Sequence, residues 1–164
     1  MYESVLNYLR QVERAAKLQS GCCVLLRDVR GHDPVVITRD NWLHDYLKPD
    51  EGFSSAINLY KVKNAGTDDL LTTFGLFQFP NCCALCVSTQ AYVSPKFRRL
   101  GINKLSNAFR QEIAASEGYA ALVCTDILTN EAERRTLVSQ GWNDIFQVHN
   151  KRTGNDVILS VKRL

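Results

Sequence analysis

Residues 94–104 read Ser-Pro-Lys-Phe-Arg-Arg-Leu-Gly-Ile-Asn-Lys. Lys96, Arg98 and Arg99 cluster there, with Gly101 and Lys104 just beyond. Upstream, residues 82–93 form an apolar run that reads as a strand ended by Ser94-Pro95, because proline cannot continue a ladder. Downstream, Ile102, Leu105, Phe109 and Ile113 fall at helical spacing. A helix start presents unpaired backbone N–H groups and a positive dipole end, which suits an anion. Gly101 lets backbone approach a ligand closely. Arg98, Arg99 and Lys104 add charge-assisted contacts. The chemistry these residues could do is to hold a phosphate or pyrophosphate. A plain strand-to-helix turn with solvated arginines is the alternative, and this segment alone leaves both open.

The other reactive residue types are less organised. The six cysteines, Cys22, Cys23, Cys82, Cys83, Cys86 and Cys124, all lie in apolar runs that read as strands. Cys82 and Cys86 would share one face and Cys83 the other. The paired knuckle spacing of a zinc site is absent, so they read as small buried hydrophobes and no metal is expected. His32, His44 and His149 are isolated in sequence and read as surface or turn residues. A Cys/His nucleophile pair would need Cys124, and no motif supports one.

The elements that must position the basic loop follow from periodicity. Residues 2–18 carry Tyr2, Val5, Leu6, Leu9, Val12 and Ala16 on one helical face, stopped by Ser20-Gly21. Residues 22–26 and 35–38 read as strands around a turn at 31–34. Residues 41–47 read as a short helix capped by Asp40 or Asn41 and closed before Pro49. Residues 55–63 and 70–79 form a hairpin across the turn-rich 64–69. After the helix from 102 to Gly118, residues 119–125 read as a buried strand. Asn130 caps a second helix with a glycine stop at Gly141, and 142–148 with 157–161 form a final hairpin across 150–154. This order predicts a mixed α/β domain with a central sheet.

At 164 residues the chain suits a single domain spanning 1–164. The formal net charge is +3, from 20 basic and 17 acidic residues, without the clustered basic face that nucleic acid needs. No apolar run approaches the roughly 20 residues that cross a bilayer, and the start reads as an amphipathic helix rather than a signal peptide. Neither nucleic acid nor membrane is expected as a partner, and the default location is the cytoplasm.

Residues 82–164 resemble the GNAT superfamily of N-acyltransferases. The signature there is an Arg/Gln-x-x-Gly-x-Gly/Ala loop after an apolar strand that often ends in Val-x-Pro. Here Tyr92-Val93-Ser94-Pro95 is followed by Arg98, Gly101 and Asn103. The next landmark is an Asn followed by a helix ending in Gly-aromatic, matched by Asn130 and Gly141-Trp142. The N-terminal half is compatible in length and order. The compact C-terminal ending resembles small members encoded by tailed phages, for which the host cytoplasm would be the location and a host protein a candidate acceptor.

The resemblance implies a mixed central sheet with a V-shaped splay between its two central strands and helices on both faces. It implies transfer of an acetyl group from acetyl-CoA, as co-substrate, to an amine of a protein or small molecule within a ternary complex. Main chain at Ala91, Tyr92 and Val93 would pair with the pantetheine arm inserted at the splay. Arg98, Arg99, Gly101, Ile102, Asn103, Lys104 and Asn130 would hold the rest of coenzyme A. Trp42, Tyr46, Phe53 and Tyr60 lie where acceptor pockets are built, and equally suit a core, which is preferred.

Residues 86–92 carry no carboxylate, so Asp126 is the candidate base for the attacking amine. The competing role for Asp126 is to cap the turn at 126–130. Two departures stand out. Asn103 replaces the usual Gly or Ala. Leu137 replaces the tyrosine that serves many members as general acid, leaving Ser139 as the nearest hydroxyl in sequence. Leu137 and the missing strand carboxylate favour an alternative, a protein-binding module of this fold with little or no catalysis.

Overall fold

The computed structural model describes residues 22–26, 35–42 and 57–164. Their strands are β1 (Cys22–Leu26), β2 (Val35–Trp42), β3 (Ile57–Asn64), β4 (Leu70–Phe79), β5 (Cys82–Val93), β6 (Ala121–Ile127), β7 (Asn143–Asn150) and β8 (Asn155–Arg163). Two helices are described, α1 (Ile102–Ser116) and α2 (Glu131–Ser139), and one 3-10 turn, Pro95–Phe97. The helix expected over 2–18, the turn at 31–34 and His32 and His44 lie outside the described residues. So do Tyr46, Phe53 and the side chain of Trp42.

The chain forms two compact units. One holds the described residues up to Gly75 together with Gln90–Ile102, the other Leu76–Thr89 with Asn103–Leu164. The first unit contains the order β1-β2-β3-β4-β5. β2 lies antiparallel to both neighbours, with Ile37 opposite Val24 and Val62. Val35, Ile37, Tyr60 and Val62 are buried, and Tyr60 stacks on Phe74 with centroids 5.1 Å apart. Tyr60 is thus a core aromatic. β3 and β4 are joined by a turn organised by Asn64, whose Oδ1 accepts from Gly66 N at 2.8 Å and Thr67 N at 3.1 Å.

The short helix expected from residue 41 is corrected at its start. Asn41 and Trp42 belong to β2 and pair with Asn58 and Ile57. The capping preference of Asp40 and Asn41 is a weak local signal, and pairing along β3 overrides it.

The second unit contains the order β4-β5-β6-β8-β7. β5 and β6 run parallel, while β6–β8 and β8–β7 are antiparallel. The parallel ladder is short: Leu85 pairs with Ala121, Cys86 with Leu122 and Val87 with Val123. After Val87 and Val123 the two strands part. This is the splay that the sequence resemblance implied.

Both helices end in the same way. At the end of α1, Tyr119 N donates to Ala114 O and Gly118 N to Ala115 O, each at 3.1 Å, with Gly118 at φ +88°. At the end of α2, Trp142 N donates to Leu137 O at 3.1 Å and Gly141 N to Val138 O at 3.0 Å, with Gly141 at φ +75°. These are Schellman stops, which satisfy the last helix carbonyls and use a left-handed glycine. The first stop consumes Gly118 and Tyr119, so β6 begins at Ala121, two residues later than the apolar run beginning at Tyr119 suggests. The second accounts for the Gly-aromatic pair, because Leu137 and Trp142 are both buried.

Gly141→Ala should therefore destabilise the fold by about 1–2 kcal/mol, from forcing a Cβ into the left-handed region. The added Cβ would also meet Lys162 Nζ at 3.0 Å. A fall in the denaturant midpoint with an unchanged slope would report it.

Candidate functional site

The first unit carries the loop. Within β5, Gln90 has φ +53°, a left-handed residue of the kind that accompanies bulges and re-aims the residues after it. Ala91 and Tyr92 are exposed beyond it. Two carbonyls there are already engaged: Thr72 Oγ1 donates to Tyr92 O at 2.7 Å, and Arg98 Nε donates to Val93 O at 3.2 Å. Ser94 N donates to Leu71 O at 3.0 Å, tying the strand end to β4.

Arg98 thus braces the loop it belongs to. Lys96 is committed elsewhere, 3.0 Å from Asp69 and over the Phe97 ring. Its hydrogen bond, more than any other cause, holds the Asp69 carboxyl below its ordinary value. Arg99 and Gly101 both adopt left-handed backbone, at φ +66° and +79°. For Arg99 that is a strained conformation, which concentrates at functional turns. Arg98, Arg99 and Gly101 are exposed, and Ile102 is buried at the head of α1.

The second unit carries the remaining candidates. Lys104 is exposed, and its carbonyl accepts from Gln140 Nε2 at 2.9 Å. Asn103 points its amide at α2, where Nδ2 donates to Glu133 Oε2. Asn130 is occupied at both ends of its side chain. Oδ1 caps α2 through Glu133 N at 3.5 Å, and Nδ2 donates to Asp126 Oδ1 at 3.0 Å. Asp126 lies inside β6 opposite Ile158, and its Oδ1 also accepts from Ile127 N at 2.9 Å. Its Oδ2 is buried without a hydrogen-bond partner among the described residues. Burial, above all, raises the Asp126 carboxyl from its ordinary value; Glu133 adds to this, while Asn130, Ile127 and Arg134 oppose it.

The periodicity of α1 hid a polar cluster. Ile102, Leu105, Phe109 and Ile113 are buried as their spacing predicts, but Ser106, Asn107 and Arg110 are buried with them. Arg110 is only 2% exposed. Its Nη1 donates to Ser88 Oγ at 3.2 Å, and its Nη2 lies 3.6 Å from Glu133 Oε1. Asn107 Oδ1 accepts from Trp142 Nε1 at 3.2 Å and Gln111 Nε2 at 3.3 Å. The one available signal was that position 110 falls four residues after 106 and four before 114, beside the apolar stripe.

Other candidates resolve simply. Burial pushes the Cys124 thiol up to about 12, with Arg110 pulling against it, so it is not a poised thiolate. His149 is exposed, with Nδ1 2.9 Å from Asp156 Oδ1. Leu137 is 2% exposed and lies in the core. Ser139 Oγ donates to Thr136 O at 2.8 Å within its own helix. Among the described residues no group of three or more His, Cys, Asp or Glu side chains could hold a metal. No described helix is long and apolar enough to cross a membrane.

No protein-family model matches this sequence, and no curated protein matches it. Solved structures do. An IAA acetyltransferase from Bacillus cereus ATCC 14579 superposes with a TM-score of 0.64 at 14% identity, over 79% of this chain and 99% of that one. A GNAT family acetyltransferase from Elizabethkingia anophelis with acetyl-CoA bound gives 0.63 at 17% identity, over 79% and 98%. The spermidine N-acetyltransferase from Vibrio cholerae, in complex with CoA and spermine, gives 0.57 at 14%, over 73% and 72%. The chain has the fold of the GNAT acetyltransferases.

The raised carboxyl of Asp126 has a stability consequence with a definite sign. The folded state holds that proton to higher pH than the unfolded chain does. Wild type therefore gives up stability as pH rises through the folded value. Asp126→Asn keeps an acceptor and removes the charge. The variant's Tm relative to wild type should rise from below the ordinary carboxylate range to neutrality, measured by thermal melts across a pH series. A pH-independent difference would count against a desolvated carboxyl.

Proposed function

We propose that this chain is an acyl-CoA-dependent N-acyltransferase, carrying an acetyl group from acetyl-CoA to an amine of a protein or small molecule. The observation that carries the reading is the left-handed turn at Arg99 and Gly101 leading straight into the start of α1, on this fold. The first N–H groups of a helix lack intrahelical partners and carry the positive end of its dipole, so they suit a pyrophosphate. Main-chain N–H groups at Gly101, Ile102 and Asn103 are the donors in this reading. Arg99 and Lys104 supply charge from exposed positions, and Arg98 holds the loop closed onto Val93. Ala91, Tyr92 and Val93 offer strand main chain to the pantetheine arm. Asn130 serves by fixing Asp126 and the start of α2.

The reaction is direct transfer. The neutral amine adds to the thioester carbonyl, forming the C–N bond, and a main-chain donor stabilises the oxyanion. The C–S bond then breaks and the electron pair leaves on sulfur. Asp126, with its raised carboxyl, takes the proton that the amine loses. Leu137 offers no proton to the thiolate. A thiol is far more acidic than an alcohol, a cysteine side chain titrating at about 8.5, so the sulfur is a tolerable leaving group without a dedicated acid.

Buried Leu137 also favours a second reading, a binding module of this fold that holds acyl-CoA or a protein partner without turnover. Intact-mass measurement of candidate acceptors after incubation with acetyl-CoA separates the two. A gain of one acetyl group supports the enzyme, and coenzyme A binding without any gain supports the module.

Two outcomes test the shared core of both readings. Coenzyme A at a hundredfold excess over its Kd should stabilise the protein by about 2.7 kcal/mol, read as a raised Tm. Gly101→Glu should remove that shift, because it places a carboxylate where phosphate must approach, while the unliganded Tm falls only by the cost of a Cβ at φ +79°, about 1–2 kcal/mol. The catalytic assignment makes its own demand. Asp126→Asn should lower turnover by roughly a hundredfold with little change in coenzyme A affinity, as steady-state kinetics and calorimetry would report.

A further inference from the structure

The residues that lock the second unit together converge on one side chain. Arg110 lies two turns into α1, with its guanidinium buried at 2% exposure. One end reaches Ser88 Oγ at 3.2 Å. Ser88 is the first residue of β5 after Val87, the last that pairs with β6. The other end lies 3.6 Å from Glu133 Oε1, in the first turn of α2. Glu133 in turn accepts the Asn103 amide through Oε2, in the first turn of α1. A single chain of contacts therefore joins the point where the strands part to the first turns of both helices.

Stability alone does not account for this arrangement. A buried ion pair is often no more stable than well-packed apolar residues of the same volume. Arg110 Nε and Nη2 are, moreover, buried without a hydrogen-bond partner among the described residues, which carries a desolvation cost. What a planar guanidinium supplies that a methionine or leucine does not is a rigid span between two fixed groups. Ser88 accepts one end at 3.2 Å, and the Glu133 carboxylate faces the other as an ion pair at 3.6 Å.

We infer that Arg110 is a positioning residue, bridging Ser88 and Glu133 so as to set the parting of β5 from β6 and the aim of the first N–H groups of α1, and thereby the affinity for acyl-CoA. The inference rests on the reading of the chain as an acyl-CoA-binding protein. The bridge acts through Asn103, whose side chain it holds against α2 and away from the pyrophosphate donors. An asparagine at that small position then leaves the N–H groups of the helix start clear.

The test compares acetyl-CoA affinity with stability. Arg110→Met together with Glu133→Met removes both charges and the acceptor that holds Asn103, at similar volume. Its Tm should match or exceed wild type, while calorimetry should show Kd weakened about tenfold, or about 1.4 kcal/mol. Arg110→Lys keeps the charge but not the span, and should bind as weakly as the double variant. Wild-type affinity in the folded double variant overturns the inference, and so does full affinity in Arg110→Lys. If the double variant does not fold, Ser88→Ala decides by removing one end of the bridge. It should weaken Kd about threefold, or about 0.65 kcal/mol, with Tm lowered by the buried donor left unpaired, and an unchanged Kd overturns the bridge. A wild-type chain that binds no acetyl-CoA takes down the proposed function and this inference together. Binding by wild type with unaltered variants takes down only the bridge.

Discussion

Every backbone N–H and C=O withdrawn from water needs a partner, and two strands that part after three pairs leave a row of them to be answered elsewhere. Much of the second unit can be understood as the reply. β6 keeps its other edge paired with β8 along its whole length, from Ala121 with Arg163 to Ile127 with Val157. At Ser88, the first residue past the last pair, the side-chain hydroxyl accepts from the Arg110 guanidinium. In the first unit the end of β5 is tied by Thr72 on Tyr92, Arg98 on Val93 and Leu71 on Ser94. Such ties keep the end of β5 from presenting a long free edge to association.

The helix ends follow from the same accounting. α1 begins just after the left-handed Arg99 and Gly101. α2 begins with Asn130 closing on Glu133 N and donating to Asp126, which holds that carboxyl in place. Under the proposed function the start of α1 is the one that receives an anion. The contacts that cap the turn also fix Asp126 Oδ1. Under the proposed function the same residue takes the proton from the amine.

Much of this was legible in the sequence because it is written in local chemistry. The glycines at 101, 118 and 141 mark left-handed turns, Asn130 marks a helix start, and Ser94-Pro95 marks the end of a strand. Such signals depend on neighbours a few residues away. The misreading at Asn41 came from trusting a capping residue against a long-range ladder. The left-handed backbone of Gln90 and Arg99 was invisible, since glutamine and arginine do not announce positive φ. Arg110 was hidden for a different reason. A periodicity scan assigns charged residues to the outer face, and a buried arginine is recognised only when the carboxylate and hydroxyl that receive it come from distant strands and helices. The candidate site was thus readable along its loop and unreadable in its support.

The stop of α2 also gives the molecule an optical handle. Trp142 is one of two tryptophans in the chain, is buried, and donates its indole N–H to Asn107 on α1. An indole held dry and hydrogen-bonded emits at shorter wavelength than one in water. Trp42→Phe would leave Trp142 as the sole tryptophan emitter. Its fluorescence would then follow, in real time, the joint between the end of α2 and α1.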